Sequence, residues 1–219
     1  MESQKVPADR SEPGVAHYSP AETFAAIKLF VDNWCWQDVP FYLRTSKRLK
    51  AKASEVTIQF WPVPHQSFPK AAALAWQPNT LIIQIQPLEE IVLRFQAKQP
   101  SSTLHLSPMD MHFSYQEVFK SKSPQAYETL LADVISGDAT LFMRADQVEV
   151  SWSLLMPILN VWGSSKSADF PNYRSGTWGP KAAETLIAKD GWNWLQPTIK
   201  DDQEGNRSQG STEPTGTQS

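Results

Sequence analysis

Four stretches in the first half of the chain alternate apolar and polar residues with a period of two. Val56, Ile58 and Phe60 interleave with Glu55, Thr57 and Gln59. Leu81, Ile83 and Ile85 interleave with Ile82, Gln84 and Gln86, and Ile91, Leu93, Phe95 and Ala97 with Val92, Arg94, Gln96 and Lys98. Met109, Met111, Phe113 and Tyr115 alternate with Asp110, His112, Ser114 and Gln116. Side chains on a strand point alternately to opposite faces, so this pattern predicts an antiparallel sheet with one apolar face. The short link Pro87 to Glu90 suits a hairpin. Two earlier stretches, Thr23 to Trp34 and Pro40 to Arg44, read as strands around a turn at Trp34 to Asp38.

The second half changes period. Ser123 and Pro124 predict an N-cap and first helical residue, followed by Tyr127, Leu130, Leu131, Val134 and Ile135 at helical spacing and Gly137 at the C-terminal cap. Asp146 with Glu149 predicts a capping-box start. Val148, Trp152, Leu155, Leu159 and Trp162 form the stripe behind it, with a kink at Pro157. Pro180 opens a last short helix that stops near Gly191. Strands first and helices second predict an α+β fold: a large, mostly antiparallel sheet with helices packed on one face. Pro- and Gly-bearing residues 1–20 read as a disordered lead-in, residues 21–198 as the domain, and the polar residues 199–219 as a disordered tail. The proline-rich stretch from Pro62 to Pro78 reads as a long surface loop.

Composition bounds function. A net charge of −3 gives no global argument for nucleic acid or an anionic membrane. No apolar run reaches the roughly 18 residues of a membrane span, and the first residues lack the apolar stretch of a secretory signal. The single cysteine, Cys35, excludes an internal disulfide and a cysteine-based metal cage. Together these point to the cytoplasm. His17, His65, His105 and His112 show no metal-binding spacing, and His112 lies on the polar side of a strand, where a surface role is the ordinary one. There is no phosphate-cradling glycine loop. The chemistry concentrates where the run Pro40 to Leu43 feeds a basic turn, with Arg44, Lys47, Arg48, Lys50 and Lys52 in succession. Cations at a sheet rim supply charge-assisted donors to an anion, or else keep a strand end soluble.

The stretches FAAIKLFVDNW, VPFYLRTSKRLKAKASEVTIQF, NTLIIQIQP, YETLLADVISGDATLFMRADQVEVSW and YRSGTWGPKAAETLIAKDGWNW resemble, in order, the C-terminal domain of glucose-6-phosphate dehydrogenase. The resemblance implies a nine-stranded, mostly antiparallel sheet whose open face forms an oligomer interface. It implies an NADP-dependent oxidation of glucose 6-phosphate to 6-phosphogluconolactone in the oxidative pentose phosphate pathway. Lys47 matches the lysine of the family's R-x-G-K turn, which reaches the sugar; Lys52 matches a basic position five residues on, and Gln86 the glutamine of the N-x-L-x-I-x-x-Q-P strand. Arg44 matches the turn's arginine, which in some members touches a structural NADP, although the other basic positions of that site fall on Ala53, Thr57 and Gln84. Ser46 stands where the turn normally has glycine, which would strain a left-handed backbone there. Cys35 and Trp61 stand where close relatives more often carry arginine.

The family's dinucleotide-binding half and its R-I-D-H-Y-L-G-K segment, with the general base, have no counterpart in this sequence. No catalytic residue is therefore assigned, and no metal. The chain alone is expected to be silent and to hold no cofactor by itself. It is read as working with a separately encoded N-terminal half, or alternatively as a non-catalytic remnant or sheet-mediated interaction module. A stand-alone sugar-phosphate binder using Lys47 and Lys52 is a third reading.

Overall fold

The computed structural model describes residues 7–62, 77–101, 104–120, 126–165 and 170–197. The stretches read as strands form two antiparallel sheets. In the first, β1 (Phe24–Phe30) pairs with β2 (Pro40–Ser46) across the turn at residues 34–38. In the second, β3 (Ser54–Gln59), β4 (Thr80–Gln86), β5 (Glu90–Lys98) and β6 (Leu106–Ser114) lie side by side in chain order. The α+β class follows the sequence pattern, with six strands among the described residues, divided between two sheets. The predicted hairpin joins β4 to β5, and a bulge between Ser54 and Glu55 sets Gln86 opposite Ser54.

Register sorts the faces of the larger sheet. Ile83 pairs with Ile91 and Ile91 with Phe113, while Leu81 pairs with Leu93 and Leu93 with Met111. One face is thus a continuous apolar array. It is also the open one: Met109 and Met111 are 52% and 61% exposed, and Val56, Ile58, Ile85 and Phe113 are exposed as well. The opposite face carries Thr80, Gln84 and Val92, all buried. On it Arg94 grips its cross-strand partner Asp110 through two hydrogen bonds of 2.7 Å each.

Several boundaries differ from the sequence pattern. The first strand ends at Phe30 rather than near Trp34, and Val31 is exposed. The alternation that runs on through Tyr115 and Gln116 gives way to α1 (Tyr115–Phe119), because Ser114 caps the turn by accepting from the Glu117 N–H. Of the next helix, α2 (Ala126–Ser136), the proposed caps Ser123 and Pro124 lie outside the described residues, as does most of the Pro62 to Pro78 loop. Gly137 does end α2, at φ +74°. The long helix α3 (Ala145–Ser164) contains Pro157, and its N-cap is Arg144, two residues before the start that the Asp146–Glu149 pair predicts. Gln147 Oε1 accepts from the Arg144 N–H at 3.2 Å, and Asp146 instead binds the Arg144 guanidinium at 3.0 and 2.8 Å.

Helix α4 (Lys181–Ala188) begins after Pro180 as expected and packs on β1. Its Ala183 and Ile187 are buried, and Trp194 Nε1 donates to the Ala183 carbonyl at 2.9 Å. The segment from Tyr173 to Leu195 thus lies against the β1–β2 ribbon through Tyr173, helix α4 and Trp194.

Candidate functional site

The face of the ribbon beneath this segment is set by register. Phe24 pairs with Ser46, Ala26 with Arg44 and Lys28 with Tyr42, so these six side chains share one side. Phe24, Ser46, Arg44, Lys28 and Tyr42 are each met by a residue of the C-terminal segment. Tyr173 packs its ring on Phe24, with centroids 5.6 Å apart. Trp194 stands edge-on to Tyr42 at 6.2 Å. Asp190 accepts from Lys28 Nζ at 2.7 Å and from the Tyr42 hydroxyl on the same oxygen.

That cluster shifts all three groups. The Lys28 hydrogen bond, then the Tyr42 bond, holds the Asp190 carboxyl below the usual carboxylate range. The same Asp190 bond raises Lys28. Burial, then the Asp190 bond, raises the Tyr42 hydroxyl.

Arg44 is half-buried between two indoles. Its guanidinium lies 4.7 Å from the Trp194 ring and 5.4 Å from the Trp178 ring, and it donates to the Leu195 carbonyl at 3.3 Å. Burial lowers its pKa, against the attraction of Glu55 and Glu184. Cation–π contacts of this kind favour a flat guanidinium over an ammonium. Ala53, Thr57 and Gln84, the other positions of the structural NADP site that the resemblance implies, carry no charge, while the Arg44 guanidinium is stacked against the two indoles.

The basic turn runs on from β2. Lys47 is exposed at its start, its N–H donating to the Thr23 carbonyl at 2.8 Å. The Arg48 carbonyl accepts from the Gly176 N–H at 3.0 Å, and the Lys50 N–H donates to the Thr177 carbonyl at 3.2 Å. Ser46 is a strand residue and has none of the left-handed strain expected of it; the left-handed residue is Arg48, at φ 53°. Ser46 Oγ instead donates to the Lys47 carbonyl at 2.9 Å, and lies 3.1 Å from the Tyr173 hydroxyl. Arg48 forms an ion pair with Glu12, whereas Lys47 has no carboxylate within 4 Å among the described residues.

Lys52 lies exposed just before β3. Gln86, also exposed, ends β4 opposite Ser54, two residues on from Lys52, so the ladder sets both at one end of the larger sheet. Lys47 belongs to the turn leading there. Arg44 does not join them, because its side chain is directed into the indole pair. Cys35 is exposed in the β1–β2 turn, and Trp61 stacks edge-on with Trp192 at 5.6 Å. Among the described residues no cluster of His, Cys, Asp or Glu could hold a metal. Sequence reasoning missed Tyr173 and Asp190. Both lie about 150 residues from their partners in the chain, and the one local signal is that Tyr173 opens the YRSGTWGP stretch.

Comparison with known proteins decides the family. The model of the glucose-6-phosphate dehydrogenase C-terminal domain matches residues 1–195. The chain belongs to that family. It is 46% identical over 177 residues to glucose-6-phosphate 1-dehydrogenase of Mycolicibacterium smegmatis, covering 81% of this chain and 35% of the relative. The Aggregatibacter actinomycetemcomitans enzyme is 42% identical over 187 residues, covering 85% and 37%. The chain thus spans little more than a third of the length of these relatives. Among solved structures, glucose-6-phosphate 1-dehydrogenase of Mycobacterium avium superposes with a TM-score of 0.70 at 32% identity, over 87% of this chain and 39% of that one. A glucose-6-phosphate dehydrogenase in complex with its substrate superposes at 0.68 and 32% identity, over 81% and 36%. As a member of the glucose-6-phosphate dehydrogenase C-terminal domain family, the chain has the antiparallel α+β fold the resemblance implied. No helix among the described residues is long and apolar enough to cross a membrane.

Proposed function

We propose that this chain is the C-terminal part of a glucose-6-phosphate dehydrogenase, a cytoplasmic enzyme, with residues 21–198 as the domain. Its part in the reaction is substrate binding and oligomerisation. The sugar phosphate meets Lys47 and Lys52 as charge-assisted donors, and Gln86 supplies a neutral amide beside them. The observation that carries this reading is Lys47. It is exposed, without a carboxylate partner among the described residues, and its backbone is held on both sides.

The reaction removes hydride from C1 of glucose 6-phosphate to NADP and the C1 hydroxyl proton to a base, leaving 6-phosphogluconolactone and NADPH. The 219 residues carry no assigned base, and general-base loss alone costs about a hundredfold to ten-thousandfold. We therefore read the chain as silent by itself and as working with an N-terminal half that holds the base and the dinucleotide. The open apolar face of the larger sheet also supports a second reading, a non-catalytic module that pairs through that face.

The test is glucose 6-phosphate-dependent reduction of NADP by the purified chain, followed by absorbance, alone and with an N-terminal half from a relative. Silence alone with turnover on mixing supports the proposal. Turnover by the chain alone overturns the assignment of the base elsewhere. Silence in both, with a stable dimer, favours the interaction module.

A further inference from the structure

The segment Tyr173 to Thr177 grips the basic turn from outside. Its Gly176 N–H and Thr177 carbonyl bond the backbone of Arg48 and Lys50. The Tyr173 hydroxyl lies 3.0 Å from the Thr23 carbonyl and 3.1 Å from the Lys47 carbonyl. Thr23 is the residue whose carbonyl also receives the Lys47 N–H. Both peptide groups flanking the Lys47 Cα are thus tied to one small network.

The network has two hydroxyl protons, from Ser46 and Tyr173, and two carbonyls to receive them, those of Thr23 and Lys47. With Ser46 donating to Lys47 and Tyr173 to Thr23, both are served. With Ser46 donating to Tyr173, the tyrosine proton goes to a carbonyl instead. Ser46 is half-buried in the network rather than strained, so the hydroxyl that replaces the family's glycine has a partner on the facing segment.

We propose that Tyr173 is a positioning residue for Lys47: its hydroxyl, together with that of Ser46, fixes the backbone from which the substrate lysine projects. The inference rests on the reading of Lys47 as a sugar-phosphate ligand. It grips the lysine at its peptide groups and leaves the ammonium free for an anion. The Tyr173 ring is anchored independently on Phe24, so the hydroxyl can be removed without removing the packing.

The experiment compares the intact chain with Tyr173→Phe, Lys47→Ala, the double variant and Ser46→Ala. Glucose 6-phosphate affinity is measured by calorimetric titration, and amide hydrogen exchange is measured residue by residue. Near-UV circular dichroism confirms packed tryptophans in each. Lys47→Ala abolishes saturation. Tyr173→Phe raises Kd on the order of fivefold, as loss of one hydrogen bond predicts. It also speeds exchange of the Lys47 and Lys50 amides about tenfold over the rest of the sheet. Ser46→Ala does the same more weakly, and Tyr173→Phe adds nothing in the Lys47→Ala background.

A Kd unchanged in Tyr173→Phe while Lys47→Ala loses binding overturns the positioning role and leaves the substrate reading standing. Saturation unaffected by Lys47→Ala overturns the substrate reading, and with it any role of Tyr173 toward substrate. Exchange at Lys47 and Lys50 that is the same in Tyr173→Phe overturns the clamp whether or not the chain binds the sugar.

Discussion

Lys28, Tyr42 and Asp190 share one proton-sensitive contact at the residue scale. Asp190 is shifted down, so its contribution is present above the ordinary carboxylate range and is lost as pH falls through its depressed value. Lys28 is shifted up, so its contribution is present below the ordinary lysine value and is lost as pH rises through the raised one. The near-UV signal of the Tyr42–Trp194 pair should therefore stay flat between about pH 5 and 9. It should weaken in acid, and Asp190→Asn should remove that acid step while already lowering the signal at neutral pH. On the other sheet, the Arg94–Asp110 pair is partly exposed but bidentate. A double-mutant cycle with Arg94→Met and Asp110→Asn, read by urea unfolding, should give a coupling of about 0.5–1 kcal/mol. At this scale little was legible. The cations were visible, but nothing local marks Asp190 or Tyr173 as their partners, because a hydrogen bond across 120 or more residues leaves no periodic trace.

Elements were far more legible, because strand and helix periods are written in consecutive residues. The six strands and the helix after Pro180 follow their patterns. Errors fell at ends, where one side chain outweighs the pattern: Ser114 starts a helix inside an alternation that would otherwise run on. The docking of the C-terminal segment on β1 depends on close approach at Gly179. Its φ is +115°, and a Cβ there would lie 2.2 Å from the Phe24 ring. Gly179→Ala should cost about 2–4 kcal/mol through backbone strain and overpacking together. Urea unfolding followed by tryptophan fluorescence would measure it. Gly137→Ala, with open space around its Cβ, should cost only the left-handed strain of about 1 kcal/mol.

For the whole molecule, the open apolar face sets the expectation. The array through Ile83, Ile91 and Phe113, with Met109 and Met111 beside it, is a large exposed patch of the kind that marks association. Sedimentation should find a dimer at micromolar chain, and Met111→Lys should weaken it at least tenfold by burying an unpaired charge. A monomer at that concentration would count against an interface on this face. What the sequence by itself determined is the class, the strands and the family, since alternation, turn residues and long ordered motifs are properties of neighbours in the chain. It also marked Lys47, Lys52, Gln86 and Arg44 as polar groups near strand ends. Only the tertiary structure separated them. Register and the bulge at Ser54 set Lys52 and Gln86 at one end of a sheet. Packing of the C-terminal segment took Arg44 into an indole pair and tied Lys47 to Tyr173. Those outcomes depend on which surfaces meet, and residues far apart in the chain meet only once the sheets and the last helix have packed.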